Sequence, residues 1–152
     1  MRRLSGVLLA GAVLILPAFS QTAFAQAPPQ KTTYTGDLVL AAYVVNADKV
    51  ADYEKVMATL KDALSKSTRP EAKQQLAGWK VIKNAMNQPD GSPLFVHIIS
   101  PVVKDADYSI TNLVYEVVTD PTERTNFYNL YRGALKQALF VIQGPMVSDF
   151  SK

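Results

Sequence analysis

The chain has 152 residues, no cysteine, one histidine and a formal charge of +3. That length is one domain's worth. The missing cysteine excludes disulfide scaffolds and the usual Cys-bearing zinc and iron-sulfur sites, and 48% hydrophobic with 19% charged residues favours a packed core over disorder.

Arg2 and Arg3 precede an almost wholly apolar run from Val7 to Phe19, and Ala23-Phe24-Ala25 fits the small-x-small rule for cleavage. Residues 1–25 are therefore expected to be a secretory signal peptide cut before Gln26. A retained anchor is the alternative, but the run is shorter than the ~20 residues that cross a bilayer, and Pro17 sits near its end. Cleavage leaves 127 residues, and losing Arg2 and Arg3 lowers the charge from +3 to +1. The basic character thus belongs to the export signal. The remaining lysines alternate with acids rather than cluster, so no nucleic-acid partner is expected. The mature protein is expected to be periplasmic or secreted, with no membrane span after signal cleavage.

Residues 26–36, with Pro28 and Pro29, read as a flexible lead-in, and a single α+β domain is expected over 37–152. Leu38 to Val45 is a short, branched apolar run, read as a strand buried on both faces. Asn46 or Asp48 is placed to cap the next helix, in which Val50, Tyr53, Met57, Leu60 and Leu64 recur at spacings of three and four. Thr68-Arg69-Pro70 breaks that helix, and a short polar turn or helix runs to Gly78. The alternation from Trp79 to Met86 predicts a second strand. Asp90-Gly91 marks a hairpin turn, so the third strand, Leu94 to Ser100, is expected to run antiparallel to the second. Ile110, Leu113, Val114 and Val117 carry helical spacing. Pro121 opens a further helix whose buried side is read as Phe127, Leu130, Tyr131, Ala134 and Ala138. A last strand is permitted between Leu139 and Phe150, with Gly144-Pro145 as a bend inside it.

The order strand, helix, strand, strand, helix, strand is the split βαβ, or ferredoxin-like, arrangement. The apolar first strand running into an amphipathic helix (LVLAAYVVNADKVADYEKVMATL), the Gly-Trp opening of strand two and the hairpin ending LFVHII resemble the dimeric α+β barrel superfamily over residues 37–100. That superfamily includes small antibiotic-biosynthesis monooxygenases, haem-degrading oxygenases and chlorite dismutase relatives. The resemblance implies a ferredoxin-like α+β fold, here with an additional C-terminal helix, and a homodimer that covers the second apolar face of the sheet.

His97 is the only side chain whose ordinary pKa lies near neutrality, so it is the candidate catalytic residue. On the face shared with Phe95 and Ile99 it can act as a general base, a haem ligand or a hydrogen-bond donor; the simpler reading is a strand histidine satisfied by a neighbour. Trp79, Phe95 and Tyr43 are the candidate ligand contacts, against the simpler reading of core aromatics. Haem-degrading members of the superfamily use an Asn, a Trp and a His, but Asn46, Trp79 and His97 do not match their positions, and that activity is not carried over. Tyr108, Tyr115, Tyr128, Tyr131 and Phe127 give the C-terminal half an aromatic density suited to a cavity wall or to plain core. Asp105, Asp107 and Glu116 lack the loop a calcium site needs. No phosphate loop, nucleophile elbow or metalloprotease helix is present in the sequence, and neither metal nor cofactor is expected. The leading expectation is a domain binding a small apolar or aromatic molecule in a sheet-lined cavity. The alternatives are a cofactor-independent monooxygenase-like enzyme using His97 and an envelope protein-interaction scaffold.

Overall fold

The computed structural model describes residues 30–150, so the expected signal peptide (1–25) and residues 26–29 lie outside the described residues. Strand β1, Leu38–Val45, leads through a single 3-10 turn into helix α1, Val50–Lys66. Asn46 does not cap this helix with its side chain; its amide instead donates to the Gly133 carbonyl 87 residues on. Tyr53, Val56, Leu60, Ala63 and Leu64 form the buried stripe of α1. That stripe continues the expected helical face, with Met57 only partly covered. A short helix α2, Ala72–Gly78, hands directly over to β2, Trp79–Lys83. A Cβ on Gly78 would lie 2.8 Å from the Pro101 carbonyl oxygen, so glycine there permits close backbone approach as well as ending the helix.

Strand β2 stops three residues short of the expected Met86, whose side chain is exposed. Strand β3, Leu94–Ile99, pairs antiparallel with it across the Asp90-Gly91 turn, where Gly91 takes a φ of 82°. Helix α3, Ile110–Tyr115, is followed by helix α4, Pro121–Ala134, whose start is capped by Asp120 accepting from the Glu123 N–H at 2.9 Å. Helix α4 ends earlier than its sequence pattern suggests. Strand β4 spans Leu135–Gly144, so Ala138 belongs to a strand and is exposed, and Gly144-Pro145 ends the strand rather than bending it. The ladder to β1, with Ala138 opposite Tyr43, outcompetes one further helical turn.

The four strands form one antiparallel sheet in the order β2-β3-β1-β4. This order is compatible with a ferredoxin-like class. Register fixes two faces. Val39, Ala41, Tyr43 and Val45 of β1 align with Phe95, His97 and Ile99 of β3 on the face beneath the helices. Val45 and Phe95 of this set pack with Tyr53 of α1 and Ala134 of α4, while Val39 and Ile99 pack with Val102, Ala106 and Tyr108 of the segment after β3. Leu40, Ala42 and Val44, with Val96 and Ile98, point to the other face.

Residues 30–36, expected to be flexible, are tied down where described. The Thr32 N–H donates to Asp107 Oδ1 at 3.0 Å, the Thr32 carbonyl accepts from the Tyr108 N–H at 2.7 Å, and the Thr35 N–H reaches Gln143 Oε1 at 2.9 Å. The ring of Tyr34 packs against Tyr108 with centroids 5.3 Å apart. Backbone groups satisfied by partners 75 to 108 residues away leave no mark in local composition. No helix among the described residues is long and apolar enough to cross a membrane.

Candidate functional site

The site grows from the middle of β3. His97 stands between Phe95 and Ile99 on the helix-facing side and is only 2% exposed. Its two ring nitrogens are both engaged. Trp79 Nε1 lies 3.1 Å from Nδ1, and Tyr53 Oη lies 2.7 Å from Nε2. An indole nitrogen only donates, so Nδ1 must accept, and the proton therefore resides on Nε2 and is donated to the Tyr53 phenol oxygen. Burial holds the His97 pKa down at about 4, so the ring is neutral at physiological pH. This buried polar trio joins α1 (Tyr53), β2 (Trp79) and β3 (His97) through side chains alone.

Beside the trio is a cavity of about 130 Å³ between the sheet and the helices. Its sheet wall includes Ala41, Tyr43, Trp79 and His97, while Tyr34, Tyr108 and Tyr131 close it from the lead-in, the β3–α3 connection and α4. No charged side chain lines it. The Tyr43 ring meets His97 edge-on with centroids 5.2 Å apart, and Trp79 meets Tyr108 in the same manner at 5.5 Å. Burial raises the pKa of each of the four phenols, Tyr34 to about 12, and mutual proximity adds to the effect for Tyr34 and Tyr131. All four are neutral hydroxyls at any physiological pH. The Tyr108 hydroxyl accepts from the Val103 N–H at 2.8 Å. The pocket is thus an uncharged aromatic box with hydroxyls on its walls.

Of the residues singled out from sequence, Tyr43, Trp79 and His97 meet at this cavity, and Phe95 does not line it. Phe95 turns to Tyr53, ring centroids 4.8 Å apart, and packs with Val45 and Ala134. Asn46 stays apart, bonded to Gly133. Within the C-terminal aromatic set, Tyr108 and Tyr131 line the cavity, Tyr115 and Phe127 pack together, and Tyr128 is exposed. Sequence reasoning missed two participants. Their sequence context shows Tyr53 only as part of a helical stripe and Tyr34 only as part of a flexible lead-in. Tyr53 is the one hydroxyl-bearing member of its apolar stripe, and a buried phenol needs a partner, which is the signal that points to it.

Asp107, a weak calcium candidate from sequence, is occupied structurally. Its carboxylate accepts from the Ser109 N–H and the Asn112 amide, both at 2.8 Å. Glu116 pairs with Arg69 at 2.6 Å. Among the described residues, no three His, Asp or Glu side chains are grouped as a metal site would require. A neutral His97 whose only lone pair, on Nδ1, accepts from Trp79 must first release Trp79 before it can take up a proton or a metal. Comparisons with protein-family models, with curated proteins and with solved structures gave no match for this chain.

Proposed function

We propose that the protein is an exported domain of the dimeric α+β barrel type that binds a small, uncharged aromatic molecule in the sheet-lined cavity. The observation that carries this reading is the convergence of Tyr43, Trp79 and His97, from three strands, on one uncharged aromatic box of about 130 Å³. An engineered apolar cavity of ~150 Å³ holds benzene, so the volume suits one ring rather than a fused system. Hydroxyls on the walls favour a ring bearing a carbonyl or hydroxyl group, and the absence of lining charge disfavours an ionic ligand. Dimerisation is part of the same reading, supported by the apolar sheet face that no helix-side cluster reaches.

Native mass spectrometry of protein purified from its own compartment tests the reading. A dimer carrying one low-mass aromatic ligand per subunit is the expected result, together with an N-terminus at Gln26. Replacing the half-buried wall residue Thr111 with Met should fill the cavity and release the ligand without disturbing the sheet. An empty wild-type protein that also fails to take up single-ring phenols and ketones would overturn the proposal.

A further inference from the structure

The polar groups of the aromatic cavity divide into those committed to the fold and those left open. The Trp79 Nε1–H and the Nδ1 lone pair of His97 are spent on each other, and the Nε2–H of His97 is given to Tyr53. The Tyr108 hydroxyl accepts from the Val103 N–H, and the hydroxyls of Ser109 and Thr111 bond to each other at 3.2 Å. Those of Tyr34, Tyr43 and Tyr131 have no hydrogen-bond partner among the described residues, where every buried side-chain oxygen and nitrogen is satisfied. These three oxygens therefore face open space rather than packed atoms. Beyond the burial that dominates, Tyr43 adds to the raised pKa of both Tyr34 and Tyr131, and Tyr34 adds to that of Tyr131. Brought together from the lead-in, β1 and α4, the three phenols surround one space, and the cavity that all three line is that space.

Three neutral O–H groups without acceptors form a cluster of donors. The described lining side chains include no carboxylate and no amide, and the one imidazole lone pair is taken. A proton carried by the ligand would find only hydroxyl oxygens among these side chains to receive it. A carbonyl oxygen brings two lone pairs and no proton, which matches what the wall offers. On the aromatic-ligand reading of this cavity, on which the inference rests, we infer that the ligand is a neutral single-ring aryl ketone or aldehyde. Its oxygen accepts from the phenol cluster of Tyr34, Tyr43 and Tyr131, and its ring lies against Ala41, Trp79 and Ile99. The three tyrosines thus determine specificity, while His97 and Trp79 contribute ring surface rather than hydrogen bonds.

Acetophenone and α-methylstyrene have nearly the same shape, the carbonyl oxygen of the first being a methylene group in the second. Titrated calorimetrically into the intact protein, acetophenone should bind at one per chain. The infrared carbonyl stretch of isotope-labelled acetophenone should fall on binding below its frequency in hexane, as a hydrogen-bonded carbonyl requires. Tyr43→Phe and Tyr131→Phe should each weaken acetophenone about five- to tenfold and leave α-methylstyrene no weaker. Each removes an oxygen that bonds nothing else among the described residues, so circular dichroism should stay native. Tyr128→Phe, at an exposed tyrosine outside the cavity, should change neither affinity. Thr111→Met should abolish acetophenone binding. A bound carbonyl at its hexane frequency, or wild-type acetophenone affinity in both Tyr43→Phe and Tyr131→Phe, would overturn the inference. Uptake of phenol or α-methylstyrene without acetophenone would overturn it and leave the aromatic-ligand reading standing, whereas failure to bind any of the three would overturn both.

Discussion

At the residue scale, His97 illustrates how a buried titratable group couples structure to pH. An unfolded chain protonates this ring near pH 6.5, whereas the folded protein keeps it neutral down to about 4 because burial penalises the cation. The native pKa is the lower of the two, so the unfolded state binds the proton first as pH falls. Stability is therefore fully present above about pH 6.5 and declines on acidification toward pH 4. The expected loss between pH 7 and pH 5 is about 2 kcal/mol, measurable by urea unfolding followed through Trp79 emission. His97→Gln, which does not titrate, should show a nearly flat profile across the same window. The hydrogen bond to Tyr53 gives a second measurement. Tyr53→Phe removes one oxygen and leaves the Nε2–H of a buried imidazole without its acceptor, which should cost about 1–3 kcal/mol. A change below about 0.5 kcal/mol in the same unfolding experiment would show that this bond does not hold the trio together. His97, Trp79 and Tyr43 were all legible as candidates from residue type and strand parity. Their mutual bonds were not, because Trp79 and His97 lie 18 residues apart and Tyr53 and His97 lie 44 apart.

At the element scale, local signals worked where they were strong and isolated. The branched run at Leu38–Val45, the α1 stripe and the Asp90-Gly91 turn each appear where pattern and turn chemistry place them. Asp120 behaves as its position before Pro121 suggests, so Asp120→Ala should cost about 1 kcal/mol in thermal unfolding, with the loss confined to α4. Hydrogen exchange of the α4 amides checks that confinement: protection there should drop while β3 amides keep theirs. Asn46 has the right residue type for a cap, yet its side chain is drawn to Gly133 at the far end of α4. The boundary between α4 and β4 was misplaced for a related reason. Phe127, Leu130, Tyr131, Ala134 and Ala138 fit one helical face, but Leu135 to Gly144 gain a ladder against β1 that a longer helix would forfeit.

At the scale of the whole molecule, the register sorts the apolar side chains of the sheet onto two faces, and on the face away from the helices Ala42 and Val44 are already buried while the outer strands stay exposed. Ile82, Val96, Ala42 and Phe140 form one row across all four strands on the face away from the helices, and Ile98, Leu40 and Ile142 continue the next, with Lys80 at its β2 end. Ile82, Phe140 and Ile142 are 50%, 43% and 56% exposed. A contiguous apolar face of this kind is what a self-association surface presents. Wild-type protein should sediment as a dimer, and Phe140→Lys should weaken the dimer by about tenfold or more while its circular dichroism remains native. A wild-type monomer at high micromolar concentration would exclude this face as the contact.

The sequence by itself determined the α+β class, the order of strands and helices, and the parity that puts His97 beside Phe95 and Ile99. These follow from interactions among residues close along the chain: turn chemistry, caps and hydrophobic period. Only the tertiary structure decided that β4 lies beside β1, that the lead-in is pinned at Asp107 and Tyr108, and that His97 is neutral and bonded at both nitrogens. Those outcomes depend on which buried groups must find partners and on which strand edge is free to supply a ladder. Both are properties of the packed chain and have no counterpart in any local window.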